Sequence, residues 1–302
     1  MSKVEFGSVR FFKRVITITV ALVIAALAIG LAVSWMKYRD VSAKLAKLEE
    51  QIVNASAESA QGDGISDGGS VIGEAFDYQM LFPDMYVESS PEFKYIYNDD
   101  RYFYLTFDGG PSESTEAILD TLAELGVKAT FFVSGGKTEG SDEIIKRIYD
   151  EGHTVGIYGD TLPANRLYES VETYLEDFNR EFEYVYGITG EKPQVFRFRG
   201  GTVNKYNIHI RKQLTAEMLR RGFVYYDWNA VCGDNAAGAD AAGIAETAMT
   251  TAQEKQRIFL LMHDTASNTE TADAIREIVE HYEDKSYLFR AVTNEVRPVT
   301  FD

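Results

Sequence analysis

Apolar and polar positions fall into three regimes along the chain. Val15–Met36 (VITITVALVIAALAIGLAVSWM) runs without a charge. At a rise of about 1.5 Å per residue it matches a hydrocarbon layer of roughly 30 Å, so it predicts a transmembrane helix. Val41, Leu45, Leu48 and Ile52 then follow 4-3-4 spacing, one apolar stripe of a helix. This is either a continuation of the membrane helix or a short seam for weak dimerisation, since two heptads are few for a coiled coil. Residues 55–73 are rich in Ser, Gly, Ala and Asp and predict a flexible linker. Aromatics return from Phe76, where a folded domain over 76–302 is expected to begin.

Within that domain short apolar runs alternate with helical stretches. Tyr102–Phe107, Lys128–Val133, Thr154–Tyr158, Val195–Phe198, Phe223–Trp228 and Ile258–Met262 read as strands. Ser114–Leu125, Asp142–Glu151, Leu167–Tyr186, Ile210–Arg221, Ala241–Lys255 and Thr271–Tyr282 read as helices between and after them. Alternating β and α with buried strands predicts an α/β fold on a parallel sheet, open or closed into a barrel. A polar cluster follows nearly every strand: Asp108, Tyr158–Asp160, Arg197–Gly201, Asp227–Asn229 and His263–Asp264. In parallel barrels chemistry sits where strands end, so these clusters are expected to share one face.

Charge adds a topology. Residues 1–14 hold Lys3, Arg10, Lys13 and Arg14 against Glu5, and Trp35 and Tyr38 fall at an interfacial level. A cytoplasmic tail (1–14), a single span (15–36), a stalk and linker (37–75) and an extracytoplasmic domain follow from the positive-inside rule. A cleaved signal peptide is the competing interpretation, but the apolar run is long for one and Trp-Met-Lys-Tyr is a poor cleavage site. The net charge is −17. Four of the 30 basic and one of the 47 acidic residues lie in the tail, leaving −20 on the rest, which speaks against nucleic-acid binding. The single cysteine, Cys232, excludes an intramolecular disulfide and a Cys-based zinc site.

The motifs then become specific. TFDGGPS at 106–112, KATFFV at 128–133, EGHTVG at 151–156, FRFRGG at 196–201, YYDWN at 225–229 and LLMHDT at 260–265 occur in one order over about 200 residues. In that order and spacing they resemble the motifs of the NodB-homology polysaccharide deacetylases, carbohydrate esterase family 4. The resemblance implies a distorted (β/α)7 barrel and hydrolysis of acetamide or acetate-ester groups on polysaccharides, with a divalent metal such as zinc. It also implies roles: Asp108 as base, His263 as acid, Arg197 orienting the base, Asp227 tuning the histidine, and Trp228 as a groove wall. Tyr158 and Arg199 would line the same groove.

The family's metal is held by Asp-His-His, three protein ligands with an open position. By that resemblance the ligand positions here are Gly109, Tyr158 and Leu162. No His lies between His153 and His209; His153 matches a structural family position, and His209 and His281 read as surface residues. No cofactor is therefore expected. Metal coordination can lower the pKa of bound water from about 15.7 to about 7, an upper bound of roughly 12 kcal/mol in nucleophile generation. A carboxylate base alone contributes about 10²–10⁴-fold. Arg199, where the third motif usually has proline, is either a loop arginine or a cation that compensates the lost ion beside Asp108 and Asp227.

Three functions are expected to compete. The first is a membrane-tethered pseudoenzyme that binds cell-envelope glycan, with peptidoglycan as the implied partner and tyrosines as stacking surface. The second is an active deacetylase with a non-standard site, for which Tyr158, Asp160, Asp108 and Asp264 supply oxygen ligands. The third is a scaffold that works through its surface or stalk.

Overall fold

The computed structural model describes residues 76–89, 100–134, 139–159, 161–266 and 269–301, together with Ile16. Gly73–Asp302 forms one compact unit. The expected span Val15–Met36, apart from Ile16, and the stripe Val41–Ile52 lie outside the described residues. Among the described residues no helix is long and apolar enough to cross a membrane.

The domain is a curled parallel sheet wrapped by helices. Its strands are β1 (Arg101–Asp108), β2 (Thr130–Val133), β3 (Thr154–Ile157), β4 (Val195–Phe196), β5 (Val224–Tyr225), β6 (Ala230–Val231), β7 (Arg257–His263) and β8 (Tyr287–Phe289). The helices are α1 (Thr115–Leu125), α2 (Ser141–Asp150), α3 (Ala164–Leu167), α4 (Val171–Thr189), α5 (Arg211–Arg220), α6 (Ala241–Ala252) and α7 (Thr271–Glu283). Seven strands run β5-β4-β3-β2-β1-β7-β6, and all the pairings are parallel. The two ends of that path, β5 and β6, are consecutive in the chain, so Tyr226–Asn229 spans the gap between them. This is the distorted α/β barrel that the motifs imply.

Three elements depart from the sequence expectation. The run Phe223–Trp228 pairs only at Val224–Tyr225, and a second two-residue strand follows at Ala230–Val231. The stretch Leu167–Tyr186 is broken, because Ser170 caps a new helix by accepting from the Thr173 amide at 3.2 Å. β8 has no counterpart in the pattern. It pairs with Arg101–Phe103 at the start of β1, while β2 pairs with Thr106–Asp108 at its end.

Strand alternation sorts side chains into two layers. On β1, Phe103, Leu105 and Phe107 face the helices and pack with Ile118, Leu122, Ile275 and Ile278, among others. Tyr102 and Tyr104 face the barrel interior with Phe132, Tyr226 and Phe259. β7 repeats the scheme: Ile258, Leu260 and Met262 point out and Phe259 points in. The same alternation carries Asp108 and His263, the last residues of β1 and β7, to the interior mouth. A separate aromatic cluster under α4 and α5 holds Tyr168, Tyr174, Phe178, Phe196 and Phe223.

Candidate active site

Arg197 leaves the end of β4 and is fully buried. Each of its three nitrogens is engaged: Nε with the Tyr226 carbonyl (2.8 Å), Nη1 with Thr106 Oγ1 (2.9 Å) and Asp108 Oδ1 (2.7 Å), and Nη2 with the Asp227 carbonyl (3.1 Å). Its guanidinium lies 4.4 Å from the Phe132 ring centroid and 5.6 Å from that of Trp228. A planar, permanently charged fork with this many partners has one orientation, and it fixes Asp108. Burial raises the Asp108 carboxyl above the usual range, while Arg197 pulls it back toward the ionised form.

His263 stands beside it. Asp108 and His263 are register partners on adjacent strands. The partner of the imidazole is Asp234, which follows β6: Oδ1 lies 2.8 Å from His263 Nδ1, and Oδ2 accepts the His263 amide at 2.7 Å. With Nδ1–H given to Asp234, Nε2 is the nitrogen left for the mouth. Burial works to depress the histidine, but the Asp234 carboxylate and the charge of Asp108 outweigh it, so its pKa is raised. Burial likewise works to raise Asp234, and the bonds from His263 hold it low. The rest of Asp234 reaches Thr271 on α7 at 3.4 Å.

The carboxylate expected to tune His263, Asp227, does something else. Its Oδ1 accepts the Thr202 amide (2.8 Å), and its Oδ2 accepts Thr202 Oγ1 and the Phe301 amide (both 2.6 Å). It ties the loop after β4 to the C-terminal segment. Phe301 in turn packs edge-on against Trp228 at 4.9 Å, and its ring lies where a Cβ on Gly201 would come within 2.7 Å. Trp228 is half-buried over Arg197, on the same loop as Asp227. Sequence reasoning missed Asp234 and Phe301. The strand that places Asp234, Ala230–Val231, is two residues long and leaves no period in the sequence, and for Phe301 there was no signal either.

Arg199 does not compensate Asp108 or Asp227. Its Nη1 donates to the Leu162 carbonyl at 2.8 Å, and its own carbonyl accepts from Tyr168 Oη (2.9 Å) and Asn204 Nδ2 (3.2 Å). The cation serving Asp108 is Arg197, and Arg199 joins the loop after β4 to the loop after β3. Asp264, weighed as an oxygen ligand, accepts from Ser112 Oγ (2.5 Å) and Thr115 Oγ1 (2.6 Å), locking the Gly-Gly-Pro-Ser turn onto α1. Asp160 lies outside the described residues. Cys232 is buried and donates to the Leu261 carbonyl at 3.3 Å. His153 is buried, accepts the Ala129 amide at 3.1 Å, and is pushed down to about 4 by desolvation.

The three positions at which the resemblance puts metal ligands do not form a donor set. Gly109 has no side chain. Leu162 is hydrocarbon packed toward the α4 cluster. Tyr158 is a half-buried phenol whose pKa is raised first by desolvation and then by the charge of Asp108, which keeps it protonated near neutrality. Among the described residues no group of three His, Cys, Asp or Glu side chains is placed to hold a metal ion.

A curled parallel barrel with a buried Asp–Arg pair and an Asp–His pair at its mouth defines a polysaccharide deacetylase-type domain. The sequence profile described as polysaccharide deacetylase matches residues 96–219. A peptidoglycan-N-acetylglucosamine deacetylase of Bacillus cereus is 31% identical over 204 residues, 66% of this chain and 72% of that protein. A putative polysaccharide deacetylase of Bacillus subtilis, YheN, is 29% identical over 208 residues, 66% of this chain and 70% of that one. The catalytic domain of a peptidoglycan N-acetylglucosamine deacetylase from Eubacterium rectale superposes with a TM-score of 0.65 at 26% identity, covering 70% of this chain and 97% of that one. A Bacillus cereus polysaccharide deacetylase superposes at 0.60 with 29% identity, covering 67% and 97%. The chain belongs to the polysaccharide deacetylase family.

Proposed function

We propose that this protein binds N-acetylated glycan of the cell envelope, peptidoglycan first among them, without a resident metal ion and without deacetylating it at the family's rate. The observation that carries this is an acid–base frame fully oriented around ligand positions occupied by Gly109, Tyr158 and Leu162. Asp108 is held as an acceptor by Arg197, and His263 is held as a donor by Asp234. Together they suit the two ends of an acetamide when the imidazole carries both protons: Nε2–H of His263 toward the carbonyl oxygen, and the Asp108 carboxylate toward the amide N–H. Neither group replaces the activation of water that a dication supplies. The relatives' names supply the glycan: two are peptidoglycan N-acetylglucosamine deacetylases. Retention of Val15–Met36 as an anchor keeps the domain outside the cytoplasm, and the linker gives it a reach of about 25–35 Å from the membrane.

The test is metal analysis of the purified protein, acetate release from peptidoglycan and N-acetylglucosamine oligomers, and sedimentation with purified wall glycan. The expected result is substoichiometric metal, no acetate above the uncatalysed background, and saturable glycan binding weakened by His263→Ala. A second reading, an active hydrolase with a non-standard ion, is favoured by the same intact Asp108 and His263 geometry. About one bound metal per chain together with acetate release would establish it.

A further inference from the structure

We propose that the face formed by residues 203–220 and the 3-10 turn Asp77–Met80 docks onto an anionic lipid surface. In a chain with a net charge of −17, residues 203–221 carry Lys205, Arg211, Lys212, Arg220 and Arg221 against Glu217 alone. Glu217 is paired at two points with Arg220, through Nε and Nη2, and so offsets the charge of that residue. It is buried and bonded to Arg220 Nη2 (2.7 Å) and to Arg221 Nε (2.6 Å), and Arg221 is itself buried. Outside that pair Lys205 and Lys212 are exposed, with Arg211 half-buried.

Exposed apolar side chains occur on the same stretch and on the turn. Ile208 is 57% exposed, Leu219 50% and Met80 76%. Lys212, Ala216 and Leu219 share one side of α5 by helical spacing. The turn is fastened to the same helix, because Arg220 Nη2 donates to the Gln79 carbonyl (3.2 Å) and Arg221 Nη2 to the Leu81 carbonyl (2.7 Å). Asp77 is the one acidic residue of the turn. Helix stability does not account for the charges: Arg211 and Lys212 sit in the first turn of α5 with no acidic residue there, the wrong sign for the positive end of a helix dipole.

Cations together with exposed aliphatic side chains are what an interfacial surface needs, charge for the headgroups and hydrocarbon for the acyl boundary. A soluble polyanion would be held by the cations alone. The acidic remainder of the domain does not prevent approach, because charges more than about 8 Å away are screened at physiological salt. The proposal stands apart from the glycan reading.

The experiment uses residues 73–302, a compact unit with its own core that corresponds to 97% of a crystallised catalytic domain. It is sedimented with vesicles of phosphatidylcholine alone and of phosphatidylcholine with one third phosphatidylglycerol. The expected result is binding to the anionic vesicles only, lost at high salt. Lys205→Glu with Lys212→Glu should weaken it by at least about tenfold. Ile208→Ser with Leu219→Ser should also weaken it, with unfolding temperature unchanged because all four positions are exposed. Failure to bind either vesicle, equal binding to both, or a fragment that instead self-associates through this face would overturn the proposal.

Discussion

His263 Nδ1 and Asp234 Oδ1 lie 2.8 Å apart, and the same aspartate accepts the His263 amide through its other oxygen. One carboxylate therefore fixes both the ring and the strand end that carries it. The imidazole is raised and the carboxylate lowered, the signature of an ion pair shielded from water. Because the histidine's folded pKa exceeds its unfolded value of about 6.5, its contribution to stability is complete below that value and fades as pH rises through the folded one. The Asp234 contribution is present above the ordinary carboxylate pKa and fades as pH falls through its depressed value. Asp234→Asn should accordingly destabilise the domain by about 1.5–3 kcal/mol near pH 5.5 and by clearly less near pH 9, measured by urea unfolding. The His263 ring proton should titrate at lower pH by NMR.

Asp227→Ala should behave differently. It releases Thr202 and the Phe301 amide, three hydrogen bonds to a buried carboxylate. The expected outcome is a loss of about 2–4 kcal/mol and faster amide exchange at the C-terminal segment. The His263 titration should stay where it is, and a shift matching that of Asp234→Asn would restore Asp227 to the role its motif suggested.

Arg197→Met leaves Asp108 buried without its cation. Breaking a buried pair in this way costs about 3–5 kcal/mol, read by chemical denaturation. Arg197→Lys should recover little, since one ammonium cannot meet four acceptors spread around a planar fork. Pairing Arg197→Met with Asp108→Asn should recover part of the loss, because no unpaired charge then remains.

Gly110 is held to glycine by a neighbour rather than by its backbone angle. A Cβ there would lie 1.9 Å from Asp264 Oδ2, whereas at Gly126 (φ +67) nothing lies within 4 Å. Gly110→Ala should cost about 1–3 kcal/mol through displaced packing, and removing the clash with Asp264→Ala in the same chain should make the two changes non-additive. Gly126→Ala should cost about 1 kcal/mol from backbone strain alone. Thermal unfolding of the four chains checks this.

Reinstating the family's ligand types with Gly109→Asp, Tyr158→His and Leu162→His should create zinc binding, detected by metal analysis. Gly109 has φ +99, a region side chains rarely adopt, so the aspartate should lower the unfolding temperature of the metal-free triple variant. Added zinc should raise it again by mass action. Zinc uptake no greater than wild type would mean the surrounding loops no longer aim these positions at one point.

Much of this architecture is written along the chain. The alternation Tyr102-Phe103-Tyr104-Leu105-Thr106-Phe107-Asp108 assigns each residue to barrel or helix side, because a strand's period is two. It thereby sends Asp108, like His263 on β7, to the interior mouth without reference to any other element. Motif order likewise announced the family. What the chain could not disclose is which aspartate meets His263. Asp227 and Asp234 both follow short strands at the closure of the sheet, and choosing between them takes ångström-scale geometry set by the two-residue strand β6. β8 and the Phe301 contact were hidden for a related reason: three residues are too few to show a period, and a ring meeting Gly201 from 100 positions away leaves no local trace. Local pattern determined which way side chains face; packing of distant segments decided which of them touch.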